Sequence, residues 1–312
     1  FWSLKEGAGY GEHEIKKILR VMNSLKIAYR KLFRKGEHSL TRIKSLAAGL
    51  AFGILLLSEV FYLFSYDSFY PDADRVYVVC ENFRIDKSSD KLVTYSAVSG
   101  AVAPGLKAEV PGIESATRLC HLTTSDFYTD DRKSYKGTFV LADEHLFDVI
   151  PRPMISGDPG EILKSSMNCM VSSKIADMMG GDVIGKVIEM KEFPGKELTI
   201  AGIFQALPEN TNYSYDVLIS MVSIGQFMWD GTNNWMGNDR YYACVKLAPG
   251  VDPESLAPAV RKMQEVHQDI ARLEEIQKGT VLTYTFKPVR KLNLEDNRDM
   301  VVLLSTIAFA VL

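Results

Sequence analysis

The stretch from Gly180 to Lys186, GGDVIGK, contains the spacing G-x-x-x-x-G-K of a phosphate-binding loop, in which backbone N–H groups cradle phosphates and the lysine neutralises them. That chemistry also needs Ser or Thr at the next position to hold magnesium, with a strand before the loop and a helix after it. Val187 stands there instead, and the flanks read as helix then strand, so the stretch is expected to be a turn into a strand. Gly7–Gly11, GAGYG, follows no strand and reads as a tail. His13, His38, His121, His145 and His267 form neither an H-x-x-x-H nor an H-E-x-x-H pair, and no G-x-S-x-G nucleophile elbow occurs. The carboxylate pairs Asp130-Asp131 and Glu274-Glu275 sit in polar surroundings and read as solvated surface. No active site assembles, and neither an enzymatic activity nor a cofactor or metal is expected.

Two further groups could carry chemistry. Cys80, Cys120, Cys169 and Cys244 permit two disulfides in an oxidising compartment, with three possible pairings, but apolar strand contexts suit buried free thiols equally well. Glu59 is the single ionisable acid or base in the 22 residues Ser45–Tyr66, SLAAGLAFGILLLSEVFYLFSY. An acid at such depth either contacts a partner helix or a proton, or reaches the interface or a partner within a bundle.

The elements that must position these residues begin with that apolar stretch. It is long enough to cross a bilayer, and longer than the core of a secretory signal peptide. Overall composition would not betray a membrane: 46% of the 312 residues are hydrophobic and 24% charged, which is ordinary for globular protein. The charge distribution does. Residues 1–44 hold eleven Lys/Arg against four Asp/Glu, leaving 25 basic and 35 acidic residues for the rest. Lys26, Arg30, Lys31 and Arg34 fill one face of a helical pattern whose other face is Leu25, Ala28, Leu32 and Phe33, as in a helix lying on a membrane surface. A nucleic-acid-binding helix is the rival for such a basic stretch, and the adjoining span argues against it. Positive charge before the span and Asp67, Asp72 and Asp74 after it place the N-terminus in the cytoplasm. The closing run Met300–Leu312 is then expected to be a return crossing, cut short.

Between the two runs the expected fold class is α+β. Asp74–Asn82 reads as a strand, Val98, Val102, Leu106 and Val110 as a helix stopped by Pro111-Gly112, and IESATRLCHL from Ile113 as a second strand, giving a βαβ unit. A second unit follows near the far end: a strand over Arg240–Gly250, one long helix from Asp252 as N-cap to about Gly279, and a strand over TVLTYTFKPV. The residues between are strand-rich, with strands at SYKGTFVLA, KVIEMKE and ELTIAGIFQ and brief helices at DEHLFDV and SSKIADMMGG. The expected organisation is a cytoplasmic segment (1–44), a membrane helix (45–66), an outward two-lobed domain (67–298) and the start of a second membrane helix (299–312). Within the domain, residues 67–122 and 240–298 form one lobe and 123–239 a second lobe inserted into it.

In this order, SLKIAYRKLFRKGEHSL, YPDADRVYVV, VPGIESATRL, VLADEHLFDVIPRPMISGDP, MVSSKIADMMGGDVIGKVIEM, LTIAGIFQALPENTNYSYDVLISM and NDRYYACVKLAPGVDPESLAPAV resemble the MacB/FtsX-type permeases of ABC transporters and their MacB-like periplasmic core domain. The resemblance runs from about Leu25 to Leu312. It implies a permease subunit in a bacterial inner membrane, without an ATPase of its own, working with a separate ATP-binding cassette subunit as a homodimer or pseudo-dimer. It further implies mechanotransmission through a porter-like first lobe and a sabre-like inserted lobe. The cargo or partner would be a periplasmic peptide, lipoprotein, antibiotic, adaptor or cell-wall hydrolase, with no nucleic acid involved. Such proteins normally carry four membrane helices, so the second span is expected to be truncated here. The competing reading is a membrane-anchored extracytoplasmic sensor that binds a ligand and signals across the bilayer.

Overall fold

The structure, a computed structural model, describes residues 22–24, 26–27, 39–84, 88–89 and 91–311. In chain order the first half comprises α1 (Ser39–Phe64), a 3-10 turn (Ala73–Arg75), β1 (Val76–Phe83), β2 (Val93–Tyr95), α2 (Val102–Glu109), β3 (Ile113–Thr129), β4 (Ser134–Ala142), α3 (Leu146–Val149), β5 (Met154–Ser156) and α4 (Pro159–Lys164). It continues with β6 (Asn168–Ser172), α5 (Ser173–Met178), β7 (Val187–Met190), β8 (Glu197–Phe204), β9 (Val217–Ser220) and β10 (Tyr242–Leu247). The last elements are α6 (Ala257–His267), α7 (Ile270–Gln277), β11 (Leu282–Pro288), α8 (Val289–Asp296) and α9 (Arg298–Val311). The chain divides into two compact units, the helical segments up to Phe61 with Asp299–Leu312, and Tyr62–Arg298.

In the helical unit, α1 is long and apolar enough to cross a membrane and leaves most of its apolar surface uncovered, including Leu46, Phe52, Leu55 and Phe61. Such exposure is unstable in water and natural in hydrocarbon. α9 packs beside α1: a Cβ added at Gly49 would lie 3.7 Å from Val311. Gly53, four residues on, is buried, as is Ala308 on α9. Small residues four apart let two helix backbones approach closely, the usual packing of spans in a bilayer. The segment Met300–Leu312, expected to form a helix beside the first, does so as far as Val311.

The larger unit begins with two interleaved βαβ units. β1 and β3 flank β10, and β10 and β11 flank β1, giving the antiparallel order β11-β1-β10-β3. This is a split, ferredoxin-like βαβ arrangement, so the strands of each expected unit are not neighbours. Val98, Val102 and Leu106 from the α2 side, Val260 and Met263 of α6, and Val79 and Val245 of the sheet make one apolar layer. The helix expected to run unbroken from Asp252 is interrupted. Asp252 does cap its start, accepting from the Glu254 amide at 3.1 Å, but Gln268 is extended and separates α6 from α7. The cause is tertiary: the buried Gln268 amide donates to the Trp235 carbonyl at 2.7 Å and the Tyr284 hydroxyl at 2.8 Å, contacts a continuous helix would not allow.

β3 does not stop near His121, where the sequence reading ended it, but runs to Thr129. Its second half opens a closed ring of six strands, β3-β4-β9-β6-β8-β7 and back to β3. Alternate side chains fill the ring: Phe127, Phe139, Leu141, Val171, Ile188 and Ile219 are all fully buried. Closure leaves the ring no free edge, which removes a template for aggregation. β5 pairs with the far end of β8 outside the ring. The stretch Gly180–Lys186 is the expected turn into a strand: Gly180, Gly181 and Gly185 have φ of 95°, 87° and 81°, and β7 follows at Val187.

Candidate functional site: a joint at the foot of the first span

α1 ends at Phe64 in a polar turn, where the Ser65 hydroxyl donates to the Tyr62 carbonyl at 2.6 Å. The chain then makes a sharp bend at Asp67, whose φ of 51° lies in the left-handed region. Asp67 is completely buried. Its backbone N–H donates to the Asn210 carbonyl at 3.0 Å. Its carboxylate accepts from the Thr211 hydroxyl at 2.6 Å, the Asn212 side-chain amide at 2.5 Å and the Asn212 backbone amide at 3.2 Å. Asn210 completes the clasp by donating to the carbonyl and hydroxyl oxygens of Ser65, at 3.0 and 2.9 Å. Residues 210–212 lie in the irregular link between β8 and β9, two strands of the ring. The turn after α1 is thus bonded to a segment that continues directly into the ring wall.

A buried cation, Arg152, 7% exposed, donates to the Tyr70 hydroxyl at 2.5 Å and lies over the rings of Tyr70 and Phe69, 4.3 and 4.8 Å from their centroids. Burial pushes the Asp67 carboxyl above the usual carboxylate range, against the opposing pull of Thr211, Asn212 and the Arg152 charge. Burial likewise raises the Tyr70 phenol. Behind them the Tyr213 hydroxyl and the Cys244 sulfur lie 3.0 Å apart, and burial lifts that thiol to about 12. Burial disfavours the charged forms of Asp67, Tyr70 and Cys244, and hydrogen bonds hold these groups in a buried polar cluster.

A second, solvent-exposed set of contacts ties down the next turn. Asp72 accepts from Arg75 and Lys246, both at 2.9 Å; Arg75 and Lys246 also pair with Glu114, and Asp74 pairs with Arg290 of α8. Individually such pairs contribute little. Together they fix the 3-10 turn between β10, the start of β3, and the helix that leads from β11 to α9. A third clamp holds the seam of the sheet. Arg118 of β3 donates to Asp143 at 2.9 Å, to the Thr232 carbonyl at 2.6 Å and to the Gly100 carbonyl. It thereby pins the long 227–241 loop across the start of α2.

The residues singled out from sequence are placed differently. Glu59 is exposed on α1 with no hydrogen bond or ion pair among the described residues. Lys26 is exposed, and Arg30, Lys31 and Arg34 lie outside the described residues. Glu59 and Lys26 make none of the joint's hydrogen bonds. All four cysteines are buried free thiols, so no disulfide links them. Among the described residues no group of three His, Cys, Asp or Glu side chains could hold a metal ion. The joint itself went unremarked in sequence reading: PENTN carries three consecutive hydrogen-bonding side chains, and Asp67 is the first charge after the span, but their partnership is written nowhere locally.

The fold is an α+β domain preceded by an apolar helix, with the turn at Ser65–Asp67 clasped to the link between β8 and β9. Residues 43–263 match the MacB-like periplasmic core domain, and the chain belongs to that family. A crystal structure of a domain of a candidate permease protein from Porphyromonas gingivalis is 36% identical, with a TM-score of 0.63 over 70% of this chain and 91% of that one. The periplasmic region of MacB from Actinobacillus actinomycetemcomitans matches at 10% identity and a TM-score of 0.45, over 74% of this chain and 94% of its own. The extracellular domain of the noncanonic ABC-type transporter YknZ from Gram-positive bacteria matches at 13% and 0.46, over 68% and 98%. No curated protein matches the chain. The chain thus carries a MacB-like periplasmic core domain, preceded by one helix long and apolar enough to cross a membrane.

Proposed function

We propose that the chain is the permease subunit of an ABC transporter of the MacB/FtsX type, in which ATP hydrolysis by a separate cytoplasmic subunit moves the outward domain to export or release a peptide, lipoprotein or antibiotic. The observation that carries this reading is the Asp67 clasp, because a domain merely tethered to a membrane has no need of a buried, multiply bonded connection between its anchor and its sheet. Movement of α1 would be delivered through Asn210–Asn212 to β9, while movement of α9 would reach β11 through α8. The N-terminus is cytoplasmic in this reading, supported by seven Lys/Arg between Lys26 and Lys44. Lys26, Arg30, Lys31 and Arg34 then grip anionic headgroups, and Glu59 meets a helix of a partner permease in a dimer. Residues 67–122 and 240–298 act as the porter-like lobe, and residues 123–239, which contain most of the ring, as the sabre-like lobe that meets cargo or a periplasmic adaptor.

The test is co-purification of the full-length protein with an ATP-binding subunit, followed by vanadate-sensitive ATPase assay in lipid nanodiscs. The expected result is a stable complex whose ATPase couples to transport in the parent and uncouples in Asp67→Asn, with assembly retained. Absence of any associated ATP-binding subunit overturns the reading.

A further inference from the structure

The outer face of β3 and β4 carries a groove of about 360 Å³, bordered at one end by Asn212 of the joint. Its floor is apolar, Leu119 and Val140, with the cross-strand pair Thr124 and Thr138 beside it, their hydroxyl oxygens 3.1 Å apart. One wall is Tyr242, 42% exposed, and the other is the segment Tyr213–Tyr215. His121 stands at the rim, and among the described residues no Asp, Glu, Lys or Arg lines the groove. We propose that this groove binds an extended, uncharged peptide segment bearing an aliphatic or aromatic side chain.

Three observations select that ligand. A charged group would enter without a counter-charge and lose its hydration uncompensated. The volume suits one large side chain with its flanking backbone, within the range of ligand pockets lined by apolar groups and a few hydroxyls. Finally, the wall segment offers backbone partners. Tyr213 and Tyr215 are buried while Ser214 between them is exposed, as in a strand, yet among the described residues the amides of Ser214 and Tyr215 and the carbonyls of Tyr213, Ser214 and Tyr215 find no hydrogen-bond partner. Backbone groups left unpaired beside a groove are the feature that strand addition satisfies. The wall is continuous with Asn212, one of the donors to Asp67, so an occupied groove stiffens the segment that grips the first span. Binding in the groove is independent of the permease reading; only this last relay rests on it.

The experiment uses the full chain in nanodiscs with His121→Cys carrying an environment-sensitive fluorophore. The four native cysteines are buried, so the label reports the rim alone. The probe is a blocked pentapeptide, Thr-Leu-Thr-Leu-Thr, with a second version in which both leucines are lysines. The expected result is a saturable emission shift with the leucine peptide, at least tenfold weaker binding of the lysine peptide, and at least tenfold weakening by Thr124→Arg and by Ser214→Arg. Both of those positions are exposed, so the arginines change the groove without burying charge in the core. No saturable shift, equal binding of the lysine peptide, or arginine variants that bind like the parent would each overturn the proposal. Intact peptide binding with no associated ATPase would sink the permease reading and leave the groove standing.

Discussion

The carboxylate of Asp67 accepts a 2.6 Å hydrogen bond from the hydroxyl of Thr211, a residue 144 positions further along the chain. This contact and its two neighbours from Asn212 replace water around a fully buried charge-bearing group in the turn that follows α1. Removing one partner strands the others, which sets the scale of the first prediction.

Asp67→Ala should lower the unfolding free energy by about 2–4 kcal/mol, since Thr211 and Asn212 are left with unmet donors in a buried site. Asn212→Ala should cost about 1–2 kcal/mol. The double variant should fall short of the sum by about 1 kcal/mol or more in a double-mutant cycle by urea denaturation. Strict additivity would show that the two side chains do not act as one unit.

Glu81 makes stability fall with rising pH. It is 8% exposed on β1, and its carboxyl is pushed up to about 7, first by burial and then by the negative charge of Asp239. Below about pH 4.5 both folded and unfolded forms are protonated. Between 4.5 and 7 the unfolded chain has released the proton while the folded chain still holds it, so stability declines across that window and levels off above it. The full effect is about 3 kcal/mol, and Asp67, raised by burial, adds in the same direction. Urea midpoints measured from pH 5 to 8 should show the decline in the parent and a flatter line in Glu81→Gln. An identical slope in both assigns the pH dependence elsewhere.

Gly105 has no room for a side chain, because a Cβ there would lie 2.2 Å from the nearest ring carbon of Trp235. Gly105→Ala should therefore cost about 1–3 kcal/mol through overpacking and shift the tryptophan emission as the 227–241 loop lifts. Combining it with Trp235→Leu should recover part of the loss. A silent Gly105→Ala would mean that the loop is not packed down on α2.

The native cysteines should resist a membrane-impermeant maleimide at pH 7.5 and react only on unfolding. All four are buried, and burial raises Cys80 to about 11. Topology must therefore be read from cysteines introduced at exposed sites such as Ser214 or Tyr128, which should label from outside the cell. Labelling only from the cytoplasm would reverse the orientation.

Gly53→Leu should loosen the pairing of α1 with α9. Gly53 is buried four residues from Gly49, on the side of α1 that Val311 approaches. The expected readout is a lower thermal midpoint in nanodiscs, with the outward domain's own unfolding transition unchanged. A midpoint equal to the parent's would place the helix contact elsewhere.

Much of this architecture is legible before any coordinates, and the pattern of success is physical. β1, α2 and the start of β3 announce themselves because their apolar spacing is local and their stops, Pro111-Gly112 above all, are chemical. The break at Gln268 is invisible in the same terms: HQD contains no Gly or Pro, and only the distant Trp235 and Tyr284 make an extended backbone favourable there. The second half of β3 was hidden by its polar TTSD, which is comfortable in a strand because only one face of the ring wall is buried. α8 was hidden because KLNLED looks like a charged approach to a membrane rather than a helix resting on β1. The joint is the hardest case, since each of its residues is unexceptional alone and its partners are separated by more than a hundred positions.

The 17 residues of β3 form a single strand roughly 55 Å from end to end at about 3.3 Å per residue. It is bonded to β10 near one end and to β4 and β7 toward the other. A strand held in that way behaves as a lever arm. Tilting its inner end by about 10° carries its outer tip through about 10 Å at that length. The span from the split βαβ sheet to the far side of the ring is thus set by one run of backbone, bulged once between His121 and Thr123, and lengthening or shortening that run would change the reach of the ring.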